Sequence, residues 1–280
     1  EQGLMNTTIV SGITDKAGFT WFSTLTGLQR FNGYELQTID PVADSDTIKI
    51  NYPVFFLKNS DHSFLIGYKK GILEFNADDN SFKKLVSINP TTALNYSVIP
   101  ITTNKKETWY MKENKGIMIY NDASKSTTIL SSFNSATADS VFLANDLIQN
   151  NKIIAANDDY IFIRISEQRI IQVNIKTHAQ GNLDFPGKFI CSVTCNKDNI
   201  FISFKDGLTS IRISNNQPIH NFLFRQIAYE AINFSGIELK GENHLLVSLG
   251  NRLFEFDTSC VCQKELTNLN NEPFVSTGDI

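Results

Sequence analysis

The residue types able to do chemistry are scattered along this chain. Its four cysteines form two close pairs, Cys191/Cys195 in Phe-Ile-Cys-Ser-Val-Thr-Cys and Cys260/Cys262 in Ser-Cys-Val-Cys-Gln. Structural zinc is usually gripped by C-x2-C-like pairs with tetrahedral reach. Here the spacings are C-x3-C and C-x-C, and no histidine adjoins them. On an extended strand, residues i and i+4 stand about 13 Å apart, beyond the ~7 Å limit for bridged Cα atoms. A local Cys191–Cys195 bridge would need a sharp bend. The cysteines therefore read as small buried hydrophobes on strands, and no metal site is expected. His62, His178, His220 and His244 are isolated in sequence. Asp78-Asp79 and Asp158-Asp159 imitate a carboxylate pair, but both fall at expected turns, where solvated aspartate is ordinary. No H-E-x-x-H, G-x-S-x-G or G-x-G-x-x-G occurs. No catalytic centre and no cofactor is expected.

The elements that would carry such residues follow from composition and repetition. Hydrophobic residues make up 41% of the 280 and charged residues 19%, enough apolar material for a sizeable core. The charge sum, 25 basic against 29 acidic residues, is −4. It leaves no basic excess to neutralise a phosphate backbone, so nucleic acid is not an expected partner. No run of 18 apolar residues has the length of a membrane-spanning helix. Glu1-Gln2-Gly3-Leu4 lacks the regions of a signal peptide, which is read as already removed. Aromatics are skewed, with 21 Phe and 8 Tyr against 2 Trp, a mix that favours strands.

One sentence recurs along the chain: apolar strand, tight turn, second strand. It is written Phe19-Thr-Trp21-Phe-Ser-Thr24-Leu-Thr-Gly27-Leu28-Gln-Arg30-Phe31, then Ser63-Phe-Leu-Ile-Gly67-Tyr-Lys-Lys-Gly71-Ile72-Leu-Glu-Phe75. Further copies place their turns at Gly116, Asp159, Gly207 and Asn251. The turn positions 27, 71, 116, 159, 207 and 251 are separated by 44, 45, 43, 48 and 44 residues. Where glycine is replaced, Asp and Asn are among the residues that best tolerate positive φ. Each copy has room for four short strands, in the first Ile9–Thr14, Phe19–Thr24, Leu28–Asn32 and Tyr34–Ile39. Four strands per ~45 residues is the period of a β-propeller blade. First strands are expected near Ile9, Tyr52, Ser97, Val141, Phe189 and Phe234, with a seventh near Val275. The expected fold is all-β, a propeller of four-stranded blades over residues 1–280, with six blades visible plus the first strand of a seventh. It would be an incomplete seven-bladed ring, with a closed six-bladed ring as the alternative. An open ring leaves strand edges that invite association, a homodimer included.

The first copy has a signature of its own. Gly3-Leu4-Met-Asn6 followed by Asp15-Lys-Ala-Gly18-Phe-Thr-Trp21 and Gly27-Leu28-Gln-Arg30-Phe31-Asn-Gly33-Tyr34 resembles the two-component regulator propeller repeat. Residues 3–39 carry the resemblance, with Ser23 where the repeat has glycine. The resemblance implies the periplasmic sensor region of a Bacteroidetes hybrid two-component system. In that family two propellers precede an immunoglobulin-like domain, a membrane helix and a kinase module. The chain would then be a fragment of a larger sensor region in an inner-membrane protein, and its ligand an oligosaccharide or polysaccharide fragment.

Most repeat residues have structural readings. Asp15 and Gly18 fit a type I turn. Gly27, Gly71, Gly116 and Gly207 fit the tight turns. Trp21 and Trp109 share one place in their blades and could stack on a sugar. The alternation of a strand, however, puts one face against each neighbouring blade, and Trp is the largest filler. Arg30 could meet an acidic ligand, or pair with a blade-edge carboxylate or turn carbonyls. Binding residues tend to lie on loops of a rigid scaffold. The candidates are Tyr52, Tyr96 and Lys188 between blades, with Asp139 and Asn233, and Lys70, Lys115 and Lys205 in loops within blades, with Asp158 and Asp206. Lysine there suits an anionic or polyhydroxyl ligand or an acidic protein face, or is simply solvated. Two functions follow: a non-catalytic ligand-sensing propeller, or a protein-interaction propeller of a secreted or surface complex.

Overall fold

The computed structural model describes residues 9–24, 27–43, 45–50, 55–58, 60, 62–88, 98–103, 106–112, 116–131, 154–224, 235–249 and 252–266. Among these residues every element of any length is a strand. The chain divides into two compact units, residues 1–140 and 141–280.

The first unit holds three four-stranded antiparallel sheets. Blade 1 is β1 (Ile9–Thr14), β2 (Thr20–Thr24), β3 (Gly27–Phe31) and β4 (Leu36–Ile39), within a residue or two of the expected strands. A small hairpin, β5 (Val42–Ala43) and β6 (Asp46–Thr47), follows it. Blade 2 is β7 (Phe55–Lys58), β8 (Ser63–Tyr68), β9 (Gly71–Asn76) and β10 (Ser81–Ser87). Blade 3 is β11 (Ile99–Thr103), β12 (Glu107–Lys112), β13 (Gly116–Asn121) and β14 (Ser126–Ser131). The second unit holds three more such sheets. Blade 4 is β15 (Ile154–Ala156), β16 (Tyr160–Ser166), β17 (Arg169–Asn174) and β18 (Gln180–Asp184). Blade 5 is β19 (Ile190–Cys195), β20 (Asn199–Phe204), β21 (Gly207–Arg212) and β22 (Gln217–Leu223). Blade 6 is β23 (Ser235–Lys240), β24 (His244–Leu249), β25 (Arg252–Asp257) and β26 (Cys262–Glu265).

In blades 2 and 5 the second and third strands are apolar on both faces because each face meets another blade of the same unit. In β8, Phe64, Ile66 and Tyr68 pack with Trp21 and Leu28 of blade 1. Leu65, between them in sequence, points the other way and packs with Val98, Tyr110 and Met118 on the blade 3 side. In the second unit, Ile200, Ile202 and Phe204 of β20 join Phe162 and Ile170 of blade 4, while Phe201 joins Leu245, Val247 and Phe256 of blade 6. A period of two thus serves two cores at once.

The meander puts the 1–2 and 3–4 turns of a blade at one end of its strands, and the 2–3 turn at the other. Backbone hydrogen bonds tie each end in the same way from blade to blade. At the first end, the N–H groups of Ala77, Asp122, Ile175, Ile213 and Thr258 donate to the carbonyls of His62, Lys106, Asp159, Asp198 and Asn243, at 2.7–3.2 Å. At the second, Ile88, Phe185 and Phe224 donate to the carbonyls of Lys70, Gln168 and Asp206 at 2.8–3.1 Å.

These bonds correct the sequence reading of blade 4. Asp159 is aligned with His62 and Asp198, in the 1–2 turn, and lacks a positive φ. The 2–3 turn of this blade is Glu167-Gln168, and Arg169 opens the third strand where Gly71 and Gly207 open theirs. The physical reason is Asn157. Its Oδ1 accepts from Asp159 N at 3.0 Å and Tyr160 N at 2.8 Å, as Asn196 accepts from Asp198 and Asn199. That side chain closes a 1–2 turn, and it leaves Ile154–Ala156 as the first strand rather than the second. Measured from Gly116 to Arg169 to Gly207, the intervals become 53 and 38 rather than 43 and 48. Val141, the expected first strand of this blade, and Val275, the expected seventh start, lie outside the described residues, as does Asn251.

A repeat that the sequence reading missed marks the third strands. Asn76, Asn121 and Asn174 each end one, and each Oδ1 accepts the N–H two residues on, at 2.9–3.0 Å. Four residues after each stand Asn80, Lys125 and His178, with φ of 55°, 51° and 61°. The spacings 45 and 53 in this series identify blade 4 without reference to glycine.

Two glycines show why the turn positions were legible. Gly71 has φ of 145°, and a Cβ there would collide with the Val86 carbonyl of β10. Gly207 has an ordinary φ, and its requirement is spatial: a Cβ would run into the Phe222 carbonyl. Gly71→Ala is expected to destabilise the protein by about 2 kcal/mol or more, read as a lowered denaturation midpoint.

Blade 6 carries an ion pair with a pH signature. Arg252 forks onto both carboxylate oxygens of Glu265, and its guanidinium lies 5.0 Å from the Phe254 ring centre. The Arg252 hydrogen bonds hold the Glu265 carboxyl below its ordinary value. A depressed carboxyl contributes stability above its unfolded-state pKa and loses that contribution as pH falls through the folded value. Arg252→Gln is therefore expected to flatten the dependence of stability on pH at and below about 4.3, measured by urea titration across the acid range.

Candidate functional site

At the 2–3 turn end, three of the expected binding residues are described. Lys70 ends the β8–β9 turn of blade 2, where its carbonyl accepts from Ile88. Lys188 and Lys205 lie together on blade 5. Lys188 Nζ is 2.5 Å from Asp206 Oδ2 and 5.6 Å from the centre of the Phe204 ring. Lys205 Nζ stands 4.0 Å over the half-buried ring of Phe189, and its N–H donates to the Phe189 carbonyl at 3.1 Å. Two ammonium groups, one carboxylate and an aromatic face thus gather where the segment entering blade 5 meets the β20–β21 turn. Asp206, expected in the same loop as Lys205, and Phe189, which the sequence reading placed only at the start of a strand, complete the cluster. Tyr52, Tyr96 and Lys115 lie outside the described residues, as do Asp139 and Asn233. Asp158 belongs to the other end, with the 1–2 turn of its blade.

Arg164 holds this end of the second unit in place. It is 1% exposed, and its Nη1 donates to the carbonyls of Ile190 and Cys191, the latter at 3.0 Å. A strand of blade 4 is thereby bonded to the first strand of blade 5. Nothing in the Tyr-Ile-Phe-Ile-Arg-Ile-Ser run distinguishes a buried arginine from a solvated one, apart from the apolar residues on both sides of it.

At the 1–2 turn end of blades 1 and 2 lies a cleft of about 310 Å³. Asp15 forms one wall. Its Oδ1 accepts from Phe19 N at 3.0 Å and its Oδ2 from the Trp21 indole at 2.8 Å, while its carbonyl accepts from Gly18 N at 3.1 Å. The Asp-x-x-Gly-x-x-Trp spacing is thus one bonded unit. His62 forms the opposite wall: its Nδ1 is 2.8 Å from Asp78 Oδ1, and Lys16 Nζ lies 3.0 Å from Nδ1 and 3.4 Å from Nε2. With Nδ1–H given to Asp78, Nε2 is the atom left to accept from Lys16. The hydrogen bond from His62, with Lys16 nearby, holds the Asp78 carboxyl below its usual range. A His–Asp pair at this distance resembles two members of a catalytic triad. Here a lysine ammonium, rather than a serine hydroxyl, is the partner recorded at Nε2.

The remaining repeat residues are structural in their surroundings. Trp21 and Trp109 are both fully buried. Arg30 departs from its expected partners: its guanidinium donates to the amide oxygens of Asn80 at 2.9 Å and Gln37 at 3.2 Å, not to a carboxylate. It lies 4.6 Å from the Phe19 ring centre, so stacking sets its direction and the neighbouring amides complete it. Gly27 and Gly116 open third strands with positive φ, and Gly18 closes the Asp15 turn with φ of 87°. No disulfide joins the cysteines; Cys191, Cys195 and Cys260 are buried. Burial pushes the Cys260 thiol up to about 12, so it is protonated and unreactive at neutral pH. In blade 6, the hydrogen bond from Lys264 holds the Glu255 carboxyl below its usual range, which suits a fixed anion better than a proton donor. Among the described residues, no group of three or more His, Cys, Asp or Glu side chains could hold a metal ion.

No family model and no curated protein matches the sequence. Solved structures do match. One is the extracellular domain of the hybrid two-component system BT3049 from B. thetaiotaomicron, at 19% identity and a TM-score of 0.63, over 97% of this chain and 36% of that one. Another is the extracellular domain of BT4673 from the same organism, at 14% identity and a TM-score of 0.64, over 96% of this chain and 37% of that one. A third is the WD40 domain of Neurospora crassa Pan2, at 11% identity and a TM-score of 0.59, over 89% of this chain. The chain spans little more than a third of the two extracellular domains. At these identities the likeness concerns the fold: six four-stranded antiparallel blades of a β-propeller.

Proposed function

We propose that this chain is part of the extracytoplasmic sensor region of a hybrid two-component regulator. It would bind an oligosaccharide or polysaccharide fragment without chemical turnover, in the periplasm. The observation that carries this reading is the fold likeness, over 97% and 96% of the chain, to extracellular domains of two-component systems. Their greater length supports further sensor domains, and a kinase module beyond them, as the partners of this segment. The Lys188, Lys205, Phe189 and Asp206 cluster supplies what a polyhydroxyl ligand needs, namely an apolar ring face with charged groups beside it. Binding would act by favouring one of two states through differential affinity. The test is a glycan array probed with the purified chain and with the Lys188→Gln/Lys205→Gln double variant. Retention of a discrete glycan set, lost in the variant, is the expected result. Release of cleaved products from a bound polysaccharide, abolished by one point mutation, would overturn the non-catalytic reading. A variant that retains every glycan as well as the parent would overturn the site.

A further inference from the structure

We propose that the cleft between blades 1 and 2 is a second binding site, for an organic oxyanion, a carboxylate or sulfate carried on a small body with an apolar face. Lys16, Lys58 and His62 contribute nitrogen groups, and Thr14, Ser60 and Ser63 contribute hydroxyls. Among the described lining residues, the one carboxylate is Asp15, and both of its oxygens already accept, from Phe19 N and the Trp21 indole. The cleft therefore sets two ammonium groups and three hydroxyls around a single carboxylate whose oxygens are both already bonded, a balance of charge that suits an oxyanion.

The donors are also held in position. Ser60 Oγ accepts from His62 N at 3.2 Å and Ser63 N at 3.1 Å, and the His62 carbonyl accepts from Ala77 N at 2.7 Å. Asp78, which orients the imidazole, is itself fixed by the bond from its N–H to Asn76 Oδ1 at 2.9 Å. The ring is thus set by two turns of blade 2, and Lys16 reaches it from a turn of the neighbouring blade. Ile13, Phe64 and Ala77 supply an apolar side to the cleft, against which the body of the ligand would lie. A volume of about 310 Å³ sits at the small end of ligand pockets, about 300–1,000 Å³. That suits a single charged sugar residue or a compound of similar size.

The cleft belongs to the 1–2 turns of blades 1 and 2 and the surface proposed above to blade 5, with no residue in common, so it stands or falls separately. The test is a nuclear magnetic resonance titration of the full chain, following the His62 imidazole signals at constant ionic strength. The probes are inorganic sulfate, glucuronate and glucose. Saturable shifts with an anion and none with glucose are expected, and the response to sulfate against glucuronate identifies which oxyanion is taken. Lys16→Gln and Lys58→Gln are each expected to weaken binding about fivefold, the size of one exposed charge contact. Lys205→Gln is expected to leave it unchanged. Both lysines are at the surface, and an unaltered circular dichroism spectrum verifies that the variants fold. Failure of both anions to move the signals, an equal response to glucose, or equal affinity in the Lys16 and Lys58 variants would each overturn the proposal.

Discussion

Trp21→Ala is expected to destabilise the protein by about 3–5 kcal/mol, the cost of truncating a buried aromatic. The indole is fully buried, and its ring centre lies 4.6 Å from that of Phe75 and 5.5 Å from that of Phe64, both in the next blade. Removing it opens a cavity between two sheets whose backbones are tied by their own ladders and cannot collapse to fill it. It also strips Asp15 Oδ2 of the indole N–H donor at 2.8 Å, loosening the turn that Asp15 caps. Differential scanning calorimetry should show the midpoint falling by roughly 10 °C, at ~2–4 °C per kcal/mol for a chain of this size. Trp21→Phe keeps part of the ring contact and should fall between the two. A midpoint that does not move, with glycan binding lost, would assign the ring to ligand stacking instead.

Arg164→Ala should cost a similar amount, about 3–5 kcal/mol, for a different reason. This guanidinium is buried and donates to two backbone carbonyls, Ile190 and Cys191, in the adjoining blade. Truncation leaves the carbonyls without that donor and a void the length of the side chain. Arg164→Met fills most of the void and introduces no charge to desolvate, so it should recover more than half of the loss. Arg164→Lys keeps the charge on a shorter side chain without the guanidinium plane, and so tests charge apart from shape. Urea denaturation of the three variants separates the contributions. Equal stability of the alanine and methionine variants would show that volume has no part in the role of Arg164.

The strands of blades 1, 2 and 5 were legible because each strand alternates, and because the turns between second and third strands use glycine for reasons that recur. At Gly71 the backbone needs positive φ, and at Gly207 a carbonyl approaches too closely for a Cβ. Blade 4 was misread because Arg169 stands at that place, and Asp159, the substitute chosen, is a turn residue of a different kind. The asparagine series at 76, 121 and 174 carried the correct spacing. Asparagine at a turn is common, and Asn157 and Asn196 also accept the N–H two residues on; what distinguishes these three is their place at the end of a third strand.

The amino-acid sequence by itself determined the strand-rich class, the four-stranded repeat and the apolar alternation that lets a blade serve two cores. Those properties are local, set by backbone sterics and by a period of two along each strand. Which charged groups meet was decided only in the tertiary structure. Lys16, His62 and Asp78 are brought together from three turns, and Arg164 reaches carbonyls 26 and 27 residues away. Such contacts depend on how one sheet is laid against the next. The register between sheets is set by packing of the whole interface, which no short stretch of sequence records.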